Sequence, residues 1–292
     1  MTLEQLRIFV AVAEREHLTQ GSRALNLTQS AVSSAIATLE ARYATKLFDR
    51  IGRRIVLTEA GRLFLIEARA VLARAAAAEA VLSDLSGLAR GSLALMASQT
   101  VANYWLPPLI QRFRRVHPGI AVTLAIGNTE TVSAAIHDGA ADLGFIEGEI
   151  DEPALAMTQV AEDELVIVVP PGHAWTRQPP SSVELKQGAW VLREPGSGTR
   201  AMFEAALPGL GLAADDLAVA LELPSNEAIC AAVAAGAGAT AISRLVAANA
   251  IAAGRLATVA LPLPKRRFLA LRHKERYLAR AATTFLALSQ AG

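Results

Sequence analysis

"LNLTQSAVSSAIATLE", Leu25 to Glu40, is the stretch on which the fold turns. Asn26 is a turn residue that tolerates unusual backbone angles. Thr28 is a hydroxyl N-cap, and the spacing after it predicts a helix over about 29–43. Val32, Ile36, Leu39 and Tyr43 fall on one face of that helix, and Gln29, Ser30, Ser33, Ser34 and Ala37 on the other. The stretch contains no Lys or Arg. Upstream, Leu3, Leu6, Phe9, Val10 and Ala13 recur at three- and four-residue steps, and Thr19 to Leu25 fits a short second helix. Two helices joined by a turn and packed on a first helix form a helix-turn-helix pattern.

Downstream, "LFDRIGRRIVLTEAG" reads as strand, turn, strand, with Arg50, Arg53 and Arg54 around a glycine. That is a β-wing with a basic tip. Residues 1–58 carry eight basic against five acidic side chains, an excess of three, whereas the whole chain has a net charge of only +1. Any attraction to a polyanion is therefore local.

The motifs "LTQSAVS", "TLE", "LFDR" and "LTEAG" stand at fixed spacing between Leu18 and Phe64. This stretch resembles, without gaps, the DNA-binding region of LysR-type transcriptional regulators. The resemblance implies that the helix after Thr28 enters the major groove of double-stranded DNA and that the wing touches the backbone. Thr28, Gln29, Ser33 and Ser34 would then face DNA beside Ser30, with Arg50, Arg53 and Arg54 gripping phosphates. Gln29 is the one residue on this face able to make a bidentate contact to adenine. The chain departs from the family pattern at Gly21, Ser22, Ser34 and Ala37, where Ala or longer polar side chains are frequent. Short side chains predict modest direct readout, with DNA shape and dimer spacing supplying much of the rest.

From Thr58 to about Ser86 no proline interrupts the chain. Phe64, Ala68, Val71, Ala75, Ala78, Leu82 and Leu85 alternate steps of four and three, a heptad seam. The spacing predicts a helix that pairs with a second copy, the competing reading being a helix buried on its own domain. The family resemblance implies a dimerising linker here, usually within a tetramer. "SGLARGS" (86–92) is expected to end it as a hinge.

From Gly91 strands and helices alternate, which predicts an α/β region of mostly parallel sheet. Residues 101–117 read as one helix with Leu106, Leu109, Ile110, Phe113 and Val116 inward. The expected organisation is a winged helix-turn-helix domain (1–58), a linker helix (59–88) and an effector domain (89–292). The last divides into subdomains of about 91–162 plus 266–292, and 163–265, with a cleft between them. The resemblance implies a periplasmic-binding-protein-like fold of type 2 for this part.

Two strand-to-helix turns carry donors: Ser98, Gln99 and Thr100, and Gly196, Ser197, Gly198 and Thr199. Free N–H groups at a helix start favour an anion, and the hydroxyls add donors. One such turn alone reads equally as a cap; two of them predict a small-anion site in the cleft. In the family these turns line the effector cavity. Asn128 and Thr129 fit its rim, and Asn226 fits either a rim or a cap. Glu147 points at the same place, so either the ligand donates a proton to it or it pairs with a base such as Arg200. "IGNTETV", "DLGFIEG" and "REPGSGTR" resemble the LysR subgroup of sulfur-oxyanion and carbon-fixation regulators. That implies a sulfur oxyanion or a phosphorylated metabolite as effector, and no cofactor. "LPKRRFLALRHKERYLAR" reads as an edge strand with solvated charges, followed by a helix.

Cys230 is the single cysteine, so no intrachain disulfide is possible, and its Ala-rich surroundings read as core. The five His make no metal-ligand spacing, and no G-x-G-x-x-G loop or catalytic triad motif is present, so an enzyme is not expected. "MTLEQLRIFV" lacks a leader pattern and no run of 18 strongly apolar residues occurs, which predicts a cytoplasmic protein without membrane association. The expected function is a ligand-responsive regulator that binds promoter inverted repeats, with RNA polymerase as a further partner. A small-molecule binding protein with an architectural role on DNA is the alternative.

Overall fold

The computed structural model describes residues 1–51, 54–85 and 91–291. The chain divides into two compact units, Met1–Leu82 with Asp138–Ala140, and Ser83–His137 with Ala141–Gly292.

In the first unit, α1 (Leu3–Ala13) opens on a capping box: Thr2 Oγ1 accepts from the Gln5 amide at 3.2 Å, and Gln5 Oε1 accepts from the Thr2 amide at 3.0 Å. Then come α2 (Leu18–Ala24) and α3 (Gln29–Tyr43). Thr28 caps α3 by accepting from the Ala31 amide at 3.2 Å, and Asn26 takes a left-handed φ of 55° in the turn before it. Gly21 is where α2 meets α1. A Cβ there would stand 2.7 Å from Val12 Cγ2, so glycine sets how closely the two helices approach. The wing strands β1 (Phe48–Ile51) and β2 (Arg54–Leu57) pair antiparallel, Phe48 opposite Leu57. Its tip, including the expected phosphate contact Arg53, and the Arg54 side chain lie outside the described residues. Phe9, Val12, Val32, Ile36, Leu39, Phe48 and Leu57 form the core of this unit. Tyr43, expected inward, is 52% exposed, because Ala44 turns left-handed and ends the helix there.

Helix α4 (Glu59–Leu85) forms as expected, but the seam is used differently. Ala68 is fully buried in the core of its own unit, and Phe64 packs there with its ring 4.8 Å from Phe9. Leu65 and Leu72 lie on the same stripe. The first half of the heptad therefore serves the winged domain. Ala75 is half-buried and Ala78 exposed, while the Leu85 side chain lies outside the described residues. Leu63, Ile66, Val71, Val81 and Leu82 are the large apolar side chains left exposed along α4.

The second unit runs β3 (Gly91–Ser98), α5 (Gln99–Tyr104), α6 (Leu106–Val116), β4 (Ile120–Gly127), α7 (Thr129–Asp138), β5 (Leu143–Glu147) and β6 (Leu155–Val169). It continues through α8 (Ser182–Gln187), β7 (Ala189–Arg193), α9 (Gly198–Ala206), β8 (Ala218–Leu223), α10 (Asn226–Ala234) and β9 (Thr240–Ser243). It ends with α11 (Arg244–Ala252), β10 (Ala257–Thr258), β11 (Lys265–His273) and α12 (Arg280–Gln290). The helix expected over 101–117 is two helices broken at Trp105, because Pro107 and Pro108 suit the first turn of a new helix and not the interior of an old one. Val116, expected inward, is 71% exposed at the end of α6, where the apolar stripe has drifted off the core.

The sheet is mixed rather than mostly parallel. β4, β3 and β5 are parallel, but β11 runs antiparallel between β5 and β6. β11 is thus a central strand and not the expected edge: Phe268, Leu269 and Leu271 are buried on it. β6 serves two sheets. Leu155 to Glu164 pair with β11, while Leu165 to Val169 pair with β9 and β10. One apolar core gathers Phe113, Phe145, Phe268 and Phe285; another gathers Trp175, Trp190, Phe203 and Leu207. Two α/β subdomains are the result, with β6 and β11 running between them.

Candidate functional site

On the first unit, the polar face of α3 is open. Thr28, Gln29, Ser30 and Ser34 are exposed and Ser33 is half-buried, over a buried stripe of Val32, Ile36 and Leu39. Thr28 is already used as the cap, and its Oγ1 lies 3.1 Å from Ser30 Oγ. Gln29 Oε1 accepts from Thr19 Oγ1 at 3.0 Å. Arg50 is exposed on β1, and Arg23 and Arg42 are exposed near either end of α3. An uncharged helix face is therefore flanked by cations.

Sequence reasoning missed what ties α3 to the wing. Glu40 is buried near the end of α3, and its Oε1 accepts from the amides of Leu47 and Phe48 at 2.8 and 3.2 Å. Its Oε2 meets Lys46 Nζ at 2.9 Å. Burial works to raise this carboxyl's pKa, but the bonds from Lys46, Leu47 and Phe48 outweigh it and hold it below its ordinary value. The carboxylate thus satisfies the first amides of the wing and fixes where β1 leaves the helix.

On the second unit, the structure gathers most of the expected effector residues around two buried polar clusters. The first centres on Glu147, at the end of β5. Its carboxylate accepts from Ser98 Oγ, and from Thr199 Oγ1 at 3.1 Å, while its backbone carbonyl accepts from Thr129 Oγ1 at 3.2 Å. Gly198 makes this approach possible: a Cβ there would stand 2.4 Å from both Glu147 O and Thr129 Oγ1. The base beside Glu147 is Arg266, whose Nη1 lies 3.8 Å from Glu147 Oε1 and donates to Thr199 Oγ1 at 2.9 Å. Arg266 also binds Asp163 through Nε at 2.7 Å. Arg200, the expected partner, instead pairs with Glu204 and Glu222 at 2.7 and 2.6 Å.

The second cluster joins α5 to the start of α10. Asn226 accepts from Arg193 Nη1 at 2.7 Å and donates to Thr100 Oγ1 at 3.1 Å, and its amide donates to Gln99 Oε1 at 2.6 Å. Arg193 also pairs with Glu194, which accepts from Asn128 Nδ2 at 3.3 Å. Burial opposes the charge of Glu194, yet the Arg193 guanidinium holds its carboxyl below the usual range. Next to this cluster Tyr104 donates to Glu227 at 3.1 Å, and burial together with that carboxylate pushes the phenol up to about 12.

Gly196, with φ 84°, shapes the turn before α9, and its carbonyl accepts from the Glu130 amide at 3.3 Å. Ser197 follows it, 2% exposed, and its hydroxyl has no hydrogen-bond partner among the described residues. A buried orphan hydroxyl at a helix start is a donor held ready. Arg193, Arg266, Asp163 and Glu194 were not singled out from sequence. Arg266 had a signal: it alternates in phase with the apolar Phe268 and Ala270. Among the described residues no group of His, Cys, Asp and Glu is placed to hold a metal ion, and no helix is long and apolar enough to cross a membrane.

Comparison with known proteins agrees with both halves. The family model "Bacterial regulatory helix-turn-helix protein, lysR family" matches residues 3–62, and the model "LysR substrate binding domain" matches residues 86–292. The chain is 37% identical over 288 residues to the HTH-type transcriptional regulator YeiE of Escherichia coli K12, covering 98% of this chain and 96% of that protein. It is 33% identical over 293 residues to a probable RuBisCO transcriptional regulator of Cyanophora paradoxa, covering 97% of this chain and 90% of that one. The structure of the CcmR regulatory domain from Synechocystis PCC6803, in complex with 2-PG, is similar with a TM-score of 0.63 and 27% identity, covering 69% of this chain and 97% of that one. The chain belongs to the LysR family: it is a DNA-binding transcriptional regulator with an N-terminal helix-turn-helix and a two-subdomain effector-binding domain.

Proposed function

We propose that this regulator takes a small anion, a sulfur oxyanion or a phosphorylated metabolite, at the start of α9. The observation that carries this reading is the buried, unpartnered hydroxyl of Ser197 beside the Gly196–Thr199 turn. The resident charges constrain the ligand. Arg266 is offset by Asp163 and Glu147, and Arg193 by Glu194, so neither of these two buried arginines is left unpaired for the ligand. The anion is met by hydroxyls and helix-start amides, and Ser98 and Thr199 exchange partners from Glu147 to the ligand. The CcmR structure, a relative's regulatory domain holding a small ligand, supports the same kind of use.

Effector binding then changes how the subdomains close, which a dimer or tetramer passes to DNA as a change of spacing or bend. Thr28, Gln29, Ser30, Ser33 and Ser34 meet the groove and Arg50, Arg53 and Arg54 meet phosphates at each half of an inverted repeat. The exposed apolar residues of α4, Leu63, Ile66, Val71, Val81 and Leu82, pair with a second copy. The division into 1–58, 59–88 and 89–292, a cytoplasmic site of action and contact with RNA polymerase belong to this reading.

A thermal-shift screen of the full chain tests it, with sulfite, sulfate, thiosulfate, phosphate and phosphorylated sugars as probes. A ligand at about 100 times its dissociation constant adds about 2.7 kcal/mol of stability and raises the midpoint. Ser197→Ala is expected to shrink that shift while leaving basal DNA affinity intact. No shift with any anion, or an equal shift in Ser197→Ala, would reject the site.

A further inference from the structure

We propose that the Arg193 guanidinium receives the effector's anionic group, and that Glu194 holds its place until the ligand displaces it. This rests on the reading that an anion binds at the start of α9. The two buried arginines of the effector domain are both paired, but their pairs differ in what opening them requires. Arg266 faces Asp163 and Glu147, whose side chains are 2% and 1% exposed. Freeing that arginine would strand a buried carboxylate. Arg193 is itself 4% exposed, yet its partner Glu194 is 22% exposed. Glu194 opens the loop between β7 and α9, ahead of Ser197, whose amide donates to the Glu194 carbonyl at 3.2 Å. A carboxylate at that edge regains water by rotating its own side chain, with no change of fold.

Glu194 presents to Arg193 what an effector would present. Its two oxygens accept from Nε and Nη2 of the guanidinium at 2.8 and 3.0 Å, a fork that fits a carboxylate, phosphoryl or sulfo group alike. Nη1 donates to Asn226 at 2.7 Å, so the guanidinium keeps its place when the carboxylate leaves. Asn128 donates to Glu194 through Nδ2, and its Oδ1 is fixed by the Thr131 amide at 2.9 Å. An anion that replaces Glu194 thus finds the Arg193 fork and the Asn128 amide, with the unpartnered Ser197 hydroxyl in the turn that follows. The guanidinium has N–H groups to spare, but a second anion on them would share one cation with Glu194 and leave the cluster with a net negative charge. Exchange keeps one anion to one cation. The ligand class is an oxyanion that offers two oxygens at once. Asn128 precedes α7 in one subdomain and Arg193 ends β7 in the other, so the exchange replaces a bond between subdomains with one bridged by the ligand.

Calorimetric titration of the full chain with sulfate and with inorganic phosphate tests the exchange, in wild type, Glu194→Gln, Glu194→Asp, Glu130→Gln, Arg193→Lys and Ser197→Ala. Glu194→Gln removes the resident charge and is expected to tighten sulfate binding about tenfold or more, the scale of one hydrogen bond to a charged group. Glu194→Asp keeps the charge on a shorter side chain and should tighten it by less. Arg193→Lys keeps the cation without the fork and should weaken binding about tenfold. Glu130→Gln is the control: a Cβ on Gly196 would meet the Glu130 carboxyl, so this charge stands beside the same turn, but the Arg193 fork does not use it. Its affinity should change by less than about threefold. Ligand-free unfolding midpoints show which variants fold, and Glu194→Asp carries the comparison should Glu194→Gln not. Equal or weaker affinity in the folded Glu194 variant overturns the exchange, and so does a gain in Glu130→Gln as large as that in Glu194→Gln, which would reduce it to general repulsion. Ser197→Ala separates this inference from the reading beneath it. If Ser197→Ala binds like wild type while Glu194→Gln gains, the Ser197 contact falls and Arg193 stands as the cation of the site. If neither wild type nor Glu194→Gln binds either anion, both fall.

Discussion

The open face of α3 and the polar interior of the effector domain use similar side chains in opposite ways. On α3 the Gln29 amide and most of the hydroxyls are exposed, those that are bonded reach only near neighbours, and the charge lies beside them on Arg23, Arg42 and Arg50. In the effector domain Ser98, Thr129, Thr199 and Asn226 are buried and bonded across the fold to Glu147, Arg193 and Arg266, and buried Thr100 is bonded to Asn226. Water solvates the first set, so removing a member costs little until DNA arrives. The second set has no water to fall back on, and each member is needed by the others. A groove reader must leave its donors free for the partner, whereas a sensor domain can spend them on itself and release them by exchange.

The largest expected effect therefore comes from breaking the interior. Arg266→Met leaves Asp163 and Glu147 buried without their shared base, which is expected to cost about 3–5 kcal/mol of stability in urea unfolding. Adding Asp163→Asn should recover part of it, since the two act as a pair. Unfolding midpoints that match the wild type would mean that the cluster is hydrated and that the contrast with α3 is false.

An intermediate effect is expected where the two kinds of region meet, at Glu40. This residue belongs to the DNA-binding unit yet is buried and bonded like the interior of the effector domain. Glu40→Gln weakens the acceptors of the Leu47 and Phe48 amides and the pairing with Lys46, for about 1–3 kcal/mol. The effect should depend on pH. The folded carboxyl is held below its ordinary value of 4.5, so its contribution is fully present above that value and is lost as pH falls through the lower folded value. Part of the acid limb of stability should thus vanish in Glu40→Gln. A variant whose acid limb overlays the wild type would remove Glu40 from the tie between helix and wing.

What could be read in advance follows the same division. The cap at Thr28, the span of α3, the left-handed turn at Asn26 and the two donor turns of the effector domain are set by residues close in sequence, and each was legible. The counter-charge to Glu147 was not. Asp163 and Arg266 are 103 residues apart and meet only because β11 inserts between β5 and β6. A charged segment near the end of a chain reads as an edge strand, since local pattern says nothing about which strands flank it. The α4 seam was legible only in part, for a related reason. A heptad shows that a helix has an apolar stripe but not whose core receives it, and Phe64 and Ala68 go to their own domain.

The smallest effect on the fold, and the sharpest separation of the two regions, is expected from Arg50→Ala. Arg50 is exposed on β1, and its loss should change stability by no more than about 0.5 kcal/mol. Its role appears only with DNA. One phosphate contact fewer lowers the slope of log affinity against log salt by about 0.9 and weakens operator and random duplexes alike. Gln29→Ala should do the reverse, leaving the salt slope alone and flattening the base preference. Anisotropy titrations at several salt concentrations measure both. A wing that positions and a helix that specifies must give these two different signatures; if both variants lost only salt-dependent affinity, the open face of α3 would carry no sequence information, and the contrast with the polar interior of the effector domain would be one of burial alone.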